Sequence, residues 1–439
     1  MTRPMKNSGV EWLGEVPESW NNKKINNMFK IIGSGTTPKT SHSEFYDNGT
    51  IDWLNTGDLN NGYIIETKNK ITEMALNSVS ALKMYPKDSL VIAMYGATIG
   101  KLGITKIAVA TNQACCVLAE PKDNDLKFVF YWLMGNQKEI VALGYGGGQP
   151  NISQQLIKNL RIPCPDVVQQ QKIASFLDEK TSQIDSILAA TKQSIVELKK
   201  YKQALITEIV TTGLNSDVKM KNSGIEWVGE IPEHWGVDKL KEVGSFFSAG
   251  VDKKIRENES LYKSVHYTDV YYNSLKQIKN SENYLVISAT EDKAKKSNLL
   301  KGDVLFTTSS ETPEDIGHST VIEEDLQGTL MGYHLIRFRA ENDMLLSYRK
   351  YAFGSSHLRS WFAYRANGMT RYGLKVVDFL DAPFIITPQE EQQKIADFLD
   401  EKCAHIDNLI ADKETLIREF ETYKKALIYE YVTGKKEVE

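Results

Sequence analysis

Between Arg337 and Lys375 the chain carries Arg337, Arg339, Arg349, Lys350, Arg359, Arg365, Arg371 and Lys375 against only Glu341 and Asp343, with Tyr348, Tyr351, Trp361, Phe362, Tyr364 and Tyr372 interleaved. Cations neutralise phosphates and aromatic rings pack or stack beside them, so this composition suits a surface that tracks a nucleic-acid backbone. The plain alternative is a solvated basic face over a core. Catalytic patterns fail on their spacing. Tyr95-Gly-Ala-Thr-Ile-Gly-Lys-Leu102 follows a β-rich run, but it is one residue short of a phosphate-binding loop, and Leu102 stands where a hydroxyl should ligate magnesium. Asp58 with Glu66 and Lys68 could surround a metal for phosphodiester hydrolysis, yet Glu-x-Lys is common in any chain rich in both, and no Pro precedes Asp58. His42, His234, His266, His318, His334, His357 and His405 make no HExxH and no obvious triad. Neither an Asn-Pro-Pro-Tyr-like segment for a flipped adenine nor a convincing Gly-rich turn for S-adenosylmethionine is present. The pattern is that of a non-catalytic chain with no metal site.

The elements that would position such a surface come in duplicate. Met5-Lys-Asn-Ser-Gly-Val-Glu-Trp-Leu-Gly-Glu-Val-Pro-Glu-Ser-Trp20 returns as Met220-Lys-Asn-Ser-Gly-Ile-Glu-Trp-Val-Gly-Glu-Ile-Pro-Glu-His-Trp235, about three quarters identical. Gln170-Gln-Lys-Ile-Ala-Ser-Phe-Leu-Asp-Glu-Lys180 returns as Gln392-Gln-Lys-Ile-Ala-Asp-Phe-Leu-Asp-Glu-Lys402. Between these bookends, residues 21–169 and 236–391 align poorly, so two similar frames hold two different inserts. Each half is long enough to bury its own core, and the fold expected is mixed α/β, a pseudo-two-fold repeat of two globular domains joined by two long helices.

In the first closing segment Ile173, Leu177, Ile184, Ile187, Leu188, Ile195, Leu198, Tyr201, Leu205 and Ile209 follow mostly three- and four-residue steps. The second gives Ile395, Leu399, Ile406, Leu409, Ile410, Ile417, Phe420, Tyr423, Leu427 and Tyr431. Pro165-Asp166 opens the first helix, Thr387-Pro388-Gln389-Glu390 has the makings of a capping box for the second, and Gly213 and Gly434 are plausible stops. Helices of about 40 residues run about 60 Å, and two copies of one amphipathic stripe are expected to pair antiparallel. The expected pairing and docking positions are Ile173, Leu177, Ile184, Leu188, Leu198, Leu205, Ile395, Leu399, Ile406, Ile410, Phe420 and Leu427. Strands are expected at residues 88–95 and 104–110, with 303–308, 319–322 and 334–338 as their counterparts. The expected domains are 1–163, a helical region 164–215, 216–386, and a second helical region 387–439.

The net charge of −4 gives no global attraction to nucleic acid, and Cys115, Cys116, Cys164 and Cys403 fit neither a CxxC pair nor zinc spacing. With no apolar leader in Met1-Thr-Arg-Pro-Met-Lys6 and no stretch near the ~20 apolar residues of a membrane span, a cytoplasmic location with no membrane partner is expected.

Taken in order, Gly33-Ser-Gly-Thr-Thr-Pro38, Trp53-Leu-Asn-Thr-Gly-Asp58, Gly96-Ala-Thr-Ile-Gly-Lys101, Thr111-Asn-Gln-Ala114 and Gly148-Gln-Pro-Asn-Ile-Ser153, followed by the Gln171-Lys-Ile-Ala174 helix, resemble the DNA specificity (S) subunits of type I restriction-modification systems. The resemblance spans nearly the whole chain. It implies that each insert is a target recognition domain reading half of a bipartite duplex site, and that the helices form an antiparallel coil that docks two methylation (M) subunits. Those subunits would carry S-adenosylmethionine and methylate adenine N6, and restriction (R) subunits would add ATP- and magnesium-dependent translocation and cleavage. This chain itself would bind no cofactor.

Under that resemblance, amides suit adenine and arginines suit guanine, which points to Asn112, Gln113, Gln149 and Asn151 in the first insert and Tyr333, His334, Arg365 and Arg371 in the second as base readers. Lys39, Lys101, Lys253 and Lys254 suit phosphates. The second insert departs from the family pattern: Ser248-Ala-Gly-Val-Asp-Lys-Lys254 and Thr308-Ser-Ser-Glu-Thr-Pro313 replace two of the glycine loops, and Gly332-Tyr-His334 is expected where Thr111-Asn-Gln113 stands. Two other readings compete, a coiled-coil scaffold whose inserts bind proteins and a metal-dependent nuclease.

Overall fold

A computed structural model describes residues 3–145, 151–273, 276–341 and 344–438. The chain forms two compact units, one of residues 1–192 with 414–439, the other of residues 193–413. In the first, a five-stranded sheet runs in the order Phe29–Gly33, Cys115–Pro121, Leu90–Ala93, Leu102–Thr105, Gly62–Ile64; every neighbouring pair is antiparallel except the last. Its central strands are buried on both faces, as their unbroken apolar runs require. A smaller sheet pairs Ile51–Leu54 in parallel with Ala110–Thr111 and antiparallel with Lys70–Ile71. The run expected as one strand over 104–110 is therefore divided between two sheets. Its break is at Lys106, whose amide bonds Ile64 and whose ammonium lies 2.8 Å from Asp88.

Packed on the larger sheet are α1 (Leu126–Gly135) and the start of the 46-residue α2 (Val167–Thr212). Trp20, Phe29, Phe128, Trp132, Ile173, Leu177 and Ile184 share one core with Leu427, Ile428 and Val432 from the chain's last helix. Asp166 opens α2, its carboxylate accepting from Gln169 N at 2.9 Å, and Gly213 ends it at φ 76°.

The second unit repeats the plan with different residues. Gly244–Phe247, Leu335–Ala340, Val304–Thr307, Ser319–Ile322 and Gln277–Ile278 form a sheet of the same order, again antiparallel except for the last pair. Ser260–Val265 pairs in parallel with Leu326–Met331 and antiparallel with Leu285–Ala289. Helix α3 (Leu346–Gly354) takes the place of α1, and α4 (Gln389–Val432, 44 residues) that of α2. Phe306, Phe338, Phe353, Phe362, Phe379 and Trp235 fill the core together with Ile206, Val210, Ile395 and Leu399 of the long helices.

The long helices pair inside each unit. In the first, Phe176 stacks on Tyr431 with ring centroids 4.5 Å apart, Lys424 reaches Asp185 at 2.6 Å and Lys192 approaches Glu421, so the helices run antiparallel. In the second, Lys202 bonds Asp407 at 2.7 Å. Of the expected pairing positions, Ile173, Leu177, Ile184, Leu188, Ile395, Leu399, Ile406, Ile410 and Leu427 are buried, whereas Leu198, Leu205 and Phe420 are half-buried.

The repeated closing motif is explained by what it touches. In α2 the buried Gln170 accepts from Asp125 N at the start of α1 and donates to Pro165 O, both at 2.9 Å. In α4 the buried Gln392 accepts from Leu345 N at the start of α3 at 2.9 Å and donates to Thr387 O at 2.7 Å. Two turns on, Asp178 takes Lys127 and Tyr131 of α1, and Asp400 takes Lys350 and Tyr351 of α3. Each long helix thus clamps its own unit by an amide and a carboxylate. Among the described residues no helix is long and apolar enough to cross a membrane.

Candidate nucleic-acid interface

In the first unit the glycine loop 33–38 lies on the turn that follows Ala110–Thr111. Gly35 N donates to Thr111 Oγ1 at 3.0 Å, and a Cβ on Gly35 would sit 1.8 Å from Thr111 O, so no larger residue fits. Thr37 Oγ1 donates to Gln113 Oε1 at 2.8 Å. Gln113 is exposed, with its amide nitrogen still available to a partner outside the chain. Asn112 is half-buried, and its side-chain oxygen already accepts from Ala114 N at 3.1 Å. Bidentate reading by Asn112 would break that bond, so Gln113 is the better placed amide. Lys39 and Asn151 are exposed and Lys101 is half-buried; Gln149 lies outside the described residues.

Asp58 has a structural task. Its two carboxylate oxygens accept from Asn55 N at 2.8 Å and from Lys68 N at 3.2 Å, tying down the loop beside Thr111. Among the described residues no group of three or more His, Cys, Asp or Glu is placed to hold a metal ion. In the second unit Asp269 repeats the bond, accepting from His266 N at 2.7 Å, so His266 stands in the place of Asn55.

The same logic fixes the register of the second loop. Asn112 N bonds Leu54 O, and Gly332 N bonds Val265 O; Met94 N bonds Ala114 O, and Thr308 N bonds His334 O. Gly332-Tyr333-His334 therefore occupies the place of Asn112-Gln113-Ala114, one residue on from the expected alignment. The hydrogen bonds on either side leave no freedom to slip. Tyr333 is thus the counterpart of Gln113.

Four sequence candidates converge here. The rings of Tyr333 and His334 lie 4.3 Å apart, and His334 is held at φ 64°. Burial, then the nearby Arg371 and Lys253 cations, hold the His334 imidazole below its ordinary pKa. Arg371, Lys253 and Lys254 are exposed, and among the described residues Arg371 has no ion-pair partner. Tyr267, which the sequence did not mark, also feels the Arg371 charge, although burial dominates in raising its pKa.

Most of the basic and aromatic run faces inward instead. Arg337 donates to the carbonyls of Lys296 and Asn298; Arg339 grips the buried Asp303 with two bonds of 2.7 Å; Arg349 donates to Gly302 O and Met344 O. Lys350 pairs with Asp400, and Arg359 with Glu314 O and Asp315. Arg365 bonds the buried Asp378 at 2.8 Å and lies over Trp361, which makes it a strut of the unit rather than a free reader. Tyr348, Tyr351 and Phe362 are core residues. The expected phosphate-tracking surface thus contracts to Arg371 and Lys375. Most of the partners that capture the others, such as Asp303 for Arg339, Asp400 for Lys350 and Asp315 for Arg359, lie more than thirty residues away in sequence.

A final correspondence joins two candidates. Tyr145 and Asn151 pair as an isolated bridge, as do Asn367 and Gly373, and in both cases the partners stand six residues apart in sequence. Leu374 N bonds Thr308 O as Ile152 N bonds Met94 O. Counted along the sequence from these bridges, Gln149, which lies outside the described residues, corresponds to Arg371.

Residues 17–200 and 232–418 match the model of a family described as the type I restriction modification DNA specificity domain, and the chain belongs to that family. It is 28% identical over 239 residues to the type I restriction enzyme MjaIX specificity subunit of Methanocaldococcus jannaschii, covering 53% of each. It is 22% identical over 407 residues to the EcoKI specificity subunit of Escherichia coli K12, covering 90% of this chain and 84% of that one. The chain spans about half the length of the M. jannaschii relatives it matches. Its fold is shared with a chain solved in work on assembly and conformational transition of a type I R-M system, at TM-score 0.71 and 13% identity over 96% of this chain and 99% of that one. It is also shared with the HsdS subunit of Thermoanaerobacter tengcongensis, at TM-score 0.53 and 12% identity over 96% and 98%.

Proposed function

We propose that this member of the type I specificity family is the non-catalytic, sequence-reading subunit of a restriction-modification complex, each unit reading one half of a bipartite, asymmetric duplex site. The observation that carries this is the pairing of equal frames with unequal readers. The two units share the order of the five-stranded sheet, loop closures and clamps, yet Gln113 is matched by Tyr333, and counted along the sequence Gln149 falls where Arg371 stands in the second unit. An amide favours adenine and an arginine favours guanine, so the two half-sites should differ. Half-sites a helical turn apart, roughly 34–36 Å, fall within the span of helices that run about 66–69 Å.

The helices also support docking of the methylation subunits. Ile187 and Leu409 are equivalent in the repeat, as are Tyr201 and Tyr423, and all four are exposed. The members of each helix stand fourteen residues apart, two heptads, and so share a face. Two copies of one apolar stripe suit two copies of one partner, a methyltransferase that brings S-adenosylmethionine and modifies adenine N6. Restriction subunits with ATP and magnesium would then act on sites that this chain has selected.

Single-molecule sequencing of DNA from a methylation-free host expressing this chain with its neighbouring methylation subunit tests the reading. A split, asymmetric adenine-methylation motif that depends on this chain is expected. A stable complex of the two proteins that leaves no motif would refute recognition and favour the coiled-coil scaffold.

A further inference from the structure

Met369 is almost wholly exposed, at 92%, and it sits on the loop that also carries Arg371. An apolar side chain so placed usually belongs to a loose segment, but this loop is built. Asn367 and Gly373 exchange backbone hydrogen bonds of 3.2 and 2.9 Å across its base. Tyr372–Gly373 pairs with Ser309–Ser310, and Leu374 N bonds Thr308 O at 2.9 Å, which ties the base to the segment leaving the central strand Val304–Thr307. Inside the loop a Cβ on Gly368 would lie 2.0 Å from Arg371 O, so no larger residue fits there. The loop holds a methionine out from the unit on a closed support.

Its surroundings are cationic. Arg371 is exposed on the same loop, the charges of Arg371 and Lys253 both reach His334, and Lys254 is exposed beside Lys253. A thioether two residues from an exposed cation is poorly matched to an apolar protein pocket, which would have to desolvate the charge, and well matched to duplex DNA. There a phosphate meets the cation while an apolar wedge enters between base pairs. The equivalent position in the first unit's sequence is Gly147, which has no side chain to insert.

Resting on the recognition function proposed above, we propose that Met369 is a wedge that partly unstacks one base step in the half-site read by the second unit. Distortion would then be confined to that half-site. The wedge adds shape and deformability to whatever Tyr333, His334 and Arg371 read directly, favouring a pyrimidine–purine step at the insertion point because such steps unstack most readily.

The test uses the full chain in complex with its methylation subunits, on duplexes of its own motif carrying 2-aminopurine. The probe is placed in turn across both half-sites and the spacer, omitting the target adenines that a methyltransferase would itself displace. Wild type should raise 2-aminopurine fluorescence several-fold at one step in one half-site. Met369→Ala should return it to near the free-duplex level with unchanged thermal stability, and Met369→Leu should keep most of it. Full enhancement in Met369→Ala, or no enhancement at any step while the wild-type complex still binds and methylates its motif, overturns the wedge alone. Loss of methylation-subunit binding in Met369→Ala also overturns it, making the methionine a protein contact. Absence of any site-specific binding by wild type overturns the recognition reading as well.

Discussion

Replacing Gln392 by alanine should weaken the second unit far more than replacing its neighbour Gln393. Gln392 is buried, and its side chain accepts from Leu345 N while donating to Thr387 O. Truncation leaves an N–H at the start of α3 and a carbonyl at the start of α4 without partners, at a cost of roughly 1–3 kcal/mol for each buried group. Some of this is recovered where water enters, so a loss of about 2–4 kcal/mol is expected. Gln393 is exposed and its amide bonds only Asp397 on the same helix, at 2.7 Å, so its truncation should stay within about 0.5 kcal/mol. For a unit of this size each kcal/mol moves the melting temperature by roughly 2–4 °C, which separates the variants by on the order of 10 °C. Calorimetry gives the shift, and hydrogen exchange should place the loosening at the first turn of α3. Gln170→Ala should do the same at the first turn of α1, where Asp125 N loses its acceptor. Equal melting temperatures for Gln392→Ala and Gln393→Ala would refute the clamp.

The two arginines named together from the sequence should part company. Arg371→Ala is expected to leave the melting temperature unchanged and to reduce affinity for the methylated motif by about 1–3 kcal/mol, whereas Arg365→Ala should melt the unit earlier because Asp378 keeps a buried charge without its partner. A filter-binding and melting comparison decides it, and the reverse pattern would reject the assignment. Acid should weaken the second unit through His357. Burial pushes its pKa down to about 4, so the neutral ring is favoured in the fold while the unfolded chain protonates near 6.5. This contribution is intact above pH 6.5 and declines as pH falls toward 4, by about 3 kcal/mol in all. His266, lowered first by burial and then by Lys253, acts in the same sense. His357→Gln should flatten the melting curve between pH 6.5 and 4.5, and an unchanged slope would show that carboxylates alone set it.

Local chemistry made part of this legible. Asp166 opens α2, and Gly213 and Gly434 close the long helices at positive φ, because caps and stops act within a turn of the residues that make them. The strand Ser319–Ile322 follows from its β-branched run. What escaped depends on distant partners. Cys115–Pro121 lies outside the expected strands because Val117 is its one β-branched residue and, with both faces buried, it shows no alternation either. At the start of α4 the expected capping box gives way to long-range bonds: the Thr387 hydroxyl lies 2.8 Å from Tyr348 Oη, and Gln392 takes its carbonyl. Arg339 belongs to the basic run by sequence, but Asp303, 36 residues away, takes two of its three guanidinium nitrogens.

The clamps suggest how two unlike inserts can share one frame. Tyr131 and Tyr351 each stand six residues beyond the amide that Gln170 or Gln392 accepts from, and each donates to the motif carboxylate, at 2.8 Å to Asp178 and 2.5 Å to Asp400. The accompanying lysine is not at a fixed place. Lys127 reaches Asp178 from four residues before its tyrosine, while Lys350 reaches Asp400 from the adjacent position. A carboxylate can receive cations from several directions, whereas an amide capping a helix start and a tyrosine hydroxyl on the next turn demand one geometry. The frame therefore constrains a small set of helix positions and leaves the loops free. Exposed loop residues such as Gln113 and Tyr333 can then differ at almost no cost in folding, because neither is part of the amide or carboxylate clamp. On this account a change of half-site needs a change of loop alone, while a change in Gln170, Asp178, Gln392 or Asp400 threatens the unit itself.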